Sequence, residues 1–179
     1  MEEGILLWIH GYASPFLDQV FLFSNIFGLL PICTILVTAM ALVHLFRGER
    51  RDALAWVVAG LATFASTELI KYAVARPRPV LWETLVHPSG FSFPSGHALA
   101  SATFYPLLAW GLLRRRRVAT GVAYAIGALF ALFVGFGRLY LGVHWPSDVL
   151  AGWLLGFVQS ALVVAWLKSM ARPSFAESV

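Results

Sequence analysis

The chain has 179 residues, 59% of them hydrophobic and 12% charged, with a mean hydropathy of +0.76. Soluble domains carry about 25% charged and about 45–50% apolar residues, so the composition excludes an ordinary soluble protein and indicates an all-α integral membrane bundle. The net charge of +4 does not indicate nucleic acid: the bulk cations Arg47, Arg50, Arg51, the run Arg114 to Arg117, Lys168 and Arg172 flank apolar runs, while Lys71, Arg76, Arg78 and Arg138 stand in or beside motifs, leaving none for a nucleic-acid face.

The N-terminus, Met-Glu-Glu, is acidic and has no cleavable-signal pattern. Residues 1–27 are interrupted by His10, Pro15, Asp18 and Asn25, and Ser14-Pro15 breaks a helix. This segment reads as an interfacial amphipathic hairpin anchored by Trp8, Tyr12 and Phe16, with a sixth span as the alternative. Five further stretches approach the roughly 20 apolar residues that a crossing needs: about 28–46, 53–75, 97–113, 118–137 and 148–168. The expectation is a transmembrane domain at 28–172 of five, possibly six, helices, followed by a short cytoplasmic tail at 173–179. Frequent Ala and Gly suit close helix packing. The lone Cys33 lies in an apolar run and reads as packing. The bulk cations fall after the first span, between the third and fourth, and after the fifth. The positive-inside rule puts those ends in the cytoplasm and the loops 76–96 and 138–147 together on the opposite side.

Those two loops carry the chemistry. Lys71 ends the second span, Arg78 follows it, and Arg138 ends the fourth. Cations beside a bilayer are costly without an anion to compensate them, and a guanidinium fork with an ammonium point charge suits phosphate. Arg76, outside this spacing, reads equally as an interfacial anchor. The Pro after Arg78 is expected to end the helix. Pro94-Ser95-Gly96-His97 reads as a helix start, with Pro94 in the first turn, free N–H groups forming an anion site and Gly96 allowing close approach. His144 and Asp148 are four apart around Pro146, a first helical position. Asp148 can therefore reach back to one ring nitrogen and leave the other free to attack phosphorus. Glu68, one turn before Lys71, either holds that Lys or forms a plain structural pair. The acids are scattered and there is neither a Cys pair nor a His-x-x-x-His, so no metal or other cofactor is expected.

The three spacings, Lys-x6-Arg-Pro, Pro-Ser-Gly-His and Arg-x5-His-x3-Asp, resemble the signature of the type 2 phosphatidic acid phosphatase family, which includes lipid phosphate phosphatases and glucose-6-phosphatases and is related to the vanadium haloperoxidases. The resemblance runs from about Leu29 to Leu167. It implies a phosphohistidine mechanism with His144 as nucleophile, Asp148 as its orienting partner and His97 as acid and then base. Lys71, Arg78, Arg138, Ser95 and Gly96 would bind the phosphate, with Glu68 and Pro94 as supports around them. The implied partners are the bilayer and a lipid phosphate or pyrophosphate such as phosphatidylglycerophosphate, phosphatidic acid or undecaprenyl pyrophosphate, in a bacterial inner membrane. One position departs: where the family usually has Ser before the third-motif Arg, this chain has Gly137. A phosphotransferase using the same His, a vanadate-dependent peroxidase, and a non-enzymatic lipid-binding or transport protein are the alternative readings. Oligomeric state is not readable.

Overall fold

The computed structural model describes residues 1–116 and 119–171; Arg117, Arg172 and the expected tail at 173–179 lie outside the described residues. Among the described residues seven α-helices follow one another: α1 (Glu2–His10), α2 (Pro15–Ile26), α3 (Leu30–Phe46), α4 (Arg50–Val74), α5 (Gly96–Leu113), α6 (Thr120–Tyr140) and α7 (Pro146–Ala171), with a short 3-10 turn at Arg114–Arg116. There is no strand among the described residues.

Helix starts follow local chemistry. Ser14 caps α2, its hydroxyl accepting from the Leu17 N–H at 3.4 Å, with Pro15 at the first helical position. Pro146 opens α7 as its fixed φ favours. α5 begins one step later than expected: Ser95 is its N-cap and Gly96 its first residue, so Pro94 stands before the cap and not in the first turn. α4 ends earlier than expected, at Val74, with Ala75 in the left-handed region at φ 49. Pro77, which disfavours helix at residue 76, stops it before Arg78 is reached.

α4, α6 and α7 are each long and apolar enough to cross a membrane, and α2 and α3 qualify as one further span if taken together across their 47° bend. Alone, α3 has 17 residues. α5 is the central helix, packed between α6 and α7 with polar Ser101 and Thr103 fully enclosed. The outer surface is apolar, as lipid contact demands, with Leu61, Leu69, Leu129, Leu154 and Leu162 exposed.

Small residues set the helix spacing. Gly152 and Gly156 on α7 lie against α5: a Cβ at Gly152 would stand 2.7 Å from the Ser95 carbonyl oxygen, and one at Gly156 2.4 Å from that of Leu99. Gly127 on α6 meets the backbone of Pro106 in the same way. Backbone approach of this kind gives van der Waals contact where lipid offers no hydrophobic driving force between helices. Gln159 on α7 adds a polar tie, accepting from Thr63 of α4 at 3.0 Å and Thr103 of α5 at 3.2 Å.

The two ends of the bundle differ in charge. At one, Arg114 pairs with Asp52, Lys168 donates to Thr120 at 3.1 Å, and His44 bonds Glu49 at 2.6 Å. The motif residues occupy the other end. At about 1.5 Å per residue, the length of α4 from Asp52 to Lys71 separates the two ends by about 28 Å.

Candidate active site

Four elements converge at the motif end: the C-terminal turns of α4 and α6, the first turn of α5, and the turn entering α7. His144 sits in that last turn, 2% exposed. Arg78 donates to its Nε2 at 3.1 Å and to the Val143 carbonyl at 2.9 Å. A guanidinium has no acceptor, so Nε2 accepts and the neutral ring carries its proton on Nδ1. That atom faces Asp148 Oδ2 at 3.4 Å, close enough for electrostatic pairing but not aligned as a hydrogen bond. Burial pushes the His144 imidazolium down to about pKa 4; Asp148 opposes the shift, while Arg138 and Arg78 add to it.

Asp148 is fully buried. Its Oδ2 accepts from the Trp145 N–H at 2.9 Å, and its Oδ1 accepts from Arg76 at 2.7 Å. The turn before it is shaped by Gly142, at φ 69, against which Trp82 packs so closely that a Cβ would lie 2.4 Å from its ring.

His97, in the first turn of α5, has a buried Nε2 without a partner. Arg138 is 2% exposed; one terminal nitrogen donates to Asn25 Oδ1, and its Nε is unpartnered. The Ser95 hydroxyl is a third buried polar atom without a partner. Unsatisfied groups of this kind cost free energy unless a ligand answers them, and here they lie beside the start of α5, whose first N–H groups have no intrahelical acceptor.

A cavity of about 760 Å³ is walled by Lys71, Arg78, Gly96, His97, Arg138 and His144. It continues between α3 and α4 past Val37, Leu61 and Phe64 as far as Leu42 and Val57. Leu42, Val57, Leu61 and Phe64 are themselves exposed, so the groove opens through the side of the bundle. Ser95 and Asp148 stand behind the wall. Glu68 lines the mouth 4.0 Å from Lys71, and Pro94 is fully buried beneath the α5 start. The guanidinium of Arg78 also donates to the carbonyls of Ser89, Gly90 and Phe91. Burial lowers the Arg78 pKa below its ordinary value, and Asp148 opposes that shift.

Several residues outside the motif spacings also touch this site. Arg76 pairs with Asp148, bonds Ser147 Oγ at 2.6 Å and lies over the Trp145 ring. Glu2 pairs with Arg76 at 2.5 Å and accepts from the Ser147 N–H at 2.8 Å. Gly28, in the break between α2 and α3, abuts His97, whose Cδ2 would lie 2.3 Å from an added Cβ. Asn25 holds Arg138, although in the sequence it reads only as one of the residues that interrupt the N-terminal segment. Gly137 is explained by α2: a Cβ there would stand 2.3 Å from the hydroxyl of Ser24, which is fully buried and bonds the Phe21 carbonyl at 2.8 Å. The sequence-based expectation of scattered acids needs one correction. His44, Glu49 and Asp52 gather three potential ligand atoms within 4.8 Å of one another. They lie at the opposite end of the bundle, with Arg114 already on Asp52.

The profile of the PAP2 superfamily matches residues 28–171. The chain is 37% identical over 108 residues to phosphatidylglycerophosphatase B of Bacillus subtilis, covering 59% of this chain and 53% of that protein. It is 31% identical over 125 residues to an undecaprenyl-diphosphatase of Sulfolobus acidocaldarius, covering 67% of this chain and 57% of that one. It thus spans little more than half the length of these curated relatives. Among solved structures, the PAP2-type phosphatidylglycerolphosphate phosphatase of Bacillus subtilis superposes with a TM-score of 0.81 at 30% identity, covering 96% of this chain and 86% of that one. Aquifex aeolicus LpxE gives 0.69 at 25% identity, covering 90% and 93%.

Proposed function

The chain belongs to the PAP2 superfamily of membrane phosphatase folds, and on that footing we propose that it is an integral membrane lipid phosphatase acting through a phosphohistidine without a metal. The observation that carries the reading is the state of His144. Its Nε2 lone pair faces Arg78 at the wall of a cationic cavity, and its Nδ1 faces the buried Asp148.

The reaction follows from that geometry. A lipid phosphate enters sideways, its chains lying in the groove between α3 and α4 and its phosphoryl group among Lys71, Arg78 and Arg138. The Arg78 N–H moves from His144 Nε2 to a phosphoryl oxygen, so substrate binding frees the nucleophile. Nε2 attacks phosphorus, the bond to the lipid oxygen breaks, and His97 gives that oxygen a proton. Asp148 stabilises the imidazolium that forms. The first turn of α5, at Gly96, holds the phosphoryl oxygens, with the Ser95 hydroxyl behind it supporting that turn. Water, deprotonated by His97, then attacks the phosphohistidine; phosphate leaves and His144 is restored.

The substrates of this class are phosphatidylglycerophosphate, phosphatidic acid and undecaprenyl pyrophosphate. We place the protein in a bacterial inner membrane with five or six spans and the site on the non-cytoplasmic side, since Arg47, Arg50, Arg51, Arg114, Arg116 and Lys168 crowd the other end. Residues 28–172 carry the reacting and phosphate-binding groups, and 1–27, at the interface, supports them through Glu2 and Asn25.

The test is phosphate release from a panel of lipid phosphates in detergent with chelator, comparing wild type, His144→Ala and His97→Ala. Either substitution should reduce the rate by several orders of magnitude, as loss of covalent or acid–base catalysis does. Full activity in His144→Ala removes the nucleophile assignment. Inactivation by chelator removes the metal-free reaction. Phosphoryl transfer to an added lipid in preference to water makes the protein a phosphotransferase.

A further inference from the structure

Asp148 is held by more than its histidine. It is a fully enclosed carboxylate, and a buried charge needs a partner and full hydrogen bonding. One oxygen faces His144 and the Trp145 N–H; the other is taken by Arg76. The Arg76 guanidinium is fixed on three sides. Ser147 and Asp148 share one terminal nitrogen, Glu2 takes the other, and Trp145 lies under the plane.

Glu2 comes from α1, the short helix farthest from the motifs in the chain. Its second oxygen accepts from the Ser147 N–H, an orphan donor in the first turn of α7 that α7 itself cannot satisfy. One side chain therefore caps the helix bearing Asp148 and clamps the cation bound to Asp148. Its carboxyl is held below the ordinary value: burial alone would raise it, but the bonds from Ser147 and Arg76 outweigh that effect.

We propose that Glu2 and Arg76 are positioning residues for the Asp148–His144 pair, so that α1 is part of the catalytic apparatus and not only a membrane-surface anchor. Glu2 acts through Arg76, and Arg76 through the Oδ1 of Asp148; neither lines the cavity. Both therefore govern how often the His144 ring points its Nε2 at phosphorus, and neither governs how tightly the lipid binds. The inference rests on His144 as nucleophile.

The test uses the full chain in mixed micelles with phosphatidic acid and phosphatidylglycerophosphate. Glu2→Gln should lower kcat about tenfold, and Arg76→Gln about a hundredfold, with KM unchanged in both, since misplacing a reacting group by about 1 Å costs about that much. The double variant should be no slower than Arg76→Gln alone, because the effect of Glu2 passes through Arg76. Glu2→Asp, which keeps the carboxylate, should recover part of the loss. Glu3→Gln removes the same charge from an exposed position on the same helix and should match wild type. Nitrogen-15 NMR of His144 should show a shifted Nδ1–H resonance in Glu2→Gln and none in Glu3→Gln.

Wild-type kcat in Glu2→Gln overturns the proposal, as do losses that multiply in the double variant or an equal loss in Glu3→Gln. The Glu2→Gln arm and its NMR signal decide the matter even if Arg76→Gln does not fold. Failure of the underlying reading looks different: His144→Ala retains activity.

Discussion

Restoring the residue that the family signature usually carries at position 137 should harm this protein. In Gly137→Ser the new Cβ would stand 2.3 Å from Ser24 Oγ and 3.3 Å from Phe21 Cδ1. Ordinary contact begins near 3.4 Å, so the α2 and α6 backbones must part by about 1 Å. Ser24 cannot swing aside, because it is fully enclosed and its hydroxyl is bound to the Phe21 carbonyl. Overpacking of this kind costs about 1–3 kcal/mol, and at about 2–4 °C per kcal/mol for a chain of this size the melting temperature in detergent should fall by several degrees. Activity should fall too, because Asn25, the next residue on α2, holds Arg138. A shift of about 1 Å there should cut kcat/KM by about ten- to a hundredfold. Scanning fluorimetry and phosphate release measure the two effects. Ser24→Gly in the same chain empties the space and should recover most of both. A Gly137→Ser protein with wild-type melting temperature and kcat/KM would refute the reasoning, as would a double variant no better than the single.

The depressed basicity of His144 predicts the acid limb of the rate profile. Its pKa of about 4 means the ring is neutral, with Nε2 available, at all pH values above that. The contribution of His144 to the kcat/KM profile should therefore fall only as pH drops through about 4, and a nitrogen-15 titration of the ring should give that same midpoint; a ring midpoint near 6.5 would show His144 to be solvated. The same shift has a stability sign: the unfolded chain takes up this proton from about 6.5, so stability should decline as pH falls from 6.5 towards 4. A second substitution probes the α5–α7 contact. Gly152→Ala puts a methyl 2.7 Å from the Ser95 carbonyl oxygen and should destabilise by about 1–3 kcal/mol, whereas Gly111→Ala, with nothing within 4 Å, should be neutral or slightly stabilising. Equal melting temperatures for the two variants would contradict the close backbone approach.

Much of the site could be read along the chain because its parts stand at helix ends, where local chemistry is strongest. Pro146 starts α7 whatever its surroundings, and the four-residue step from His144 to Asp148 then turns the carboxylate towards the ring. Arg138 ends an apolar run and Ser95-Gly96 begins one, so both were placed by composition alone. Arg76 was not placed, because what distinguishes it is a partner 72 residues away; Glu2 lies 145 residues from the N–H it binds. Periodicity carries no trace of such contacts. The 47° bend between α2 and α3 was hidden for a different reason. Its marks are slight: Gly28, which makes room for His97, and Pro31 in the first turn of α3, set in a run that is otherwise apolar from Ile26 onward. The expected boundary at residue 27 falls inside that bend, and α2 reaches the site through Asn25 instead of lying only at the interface. The end of α4 was misplaced by a few residues because Pro77 acts on the residue before it, ahead of the Pro after Arg78.

The groove between α3 and α4 changes what concentration means for this protein. Its walls belong partly to the lipid-facing surface, at Leu42, Val57, Leu61 and Phe64, so on the proposed function a lipid substrate would arrive from within the plane of the bilayer. Encounter then depends on the mole fraction of that lipid among its neighbours and not on its amount per volume of water. Adding inert detergent at constant substrate dilutes the surface and slows the encounter, although the bulk concentration is unchanged. On the proposed function, the leaving phosphate, free of any chain, would depart to water from the end of the cavity that Lys71 and Glu68 line. Supply and release would then occupy two different phases, and the dephosphorylated lipid left in the membrane would compete with the next substrate in two dimensions.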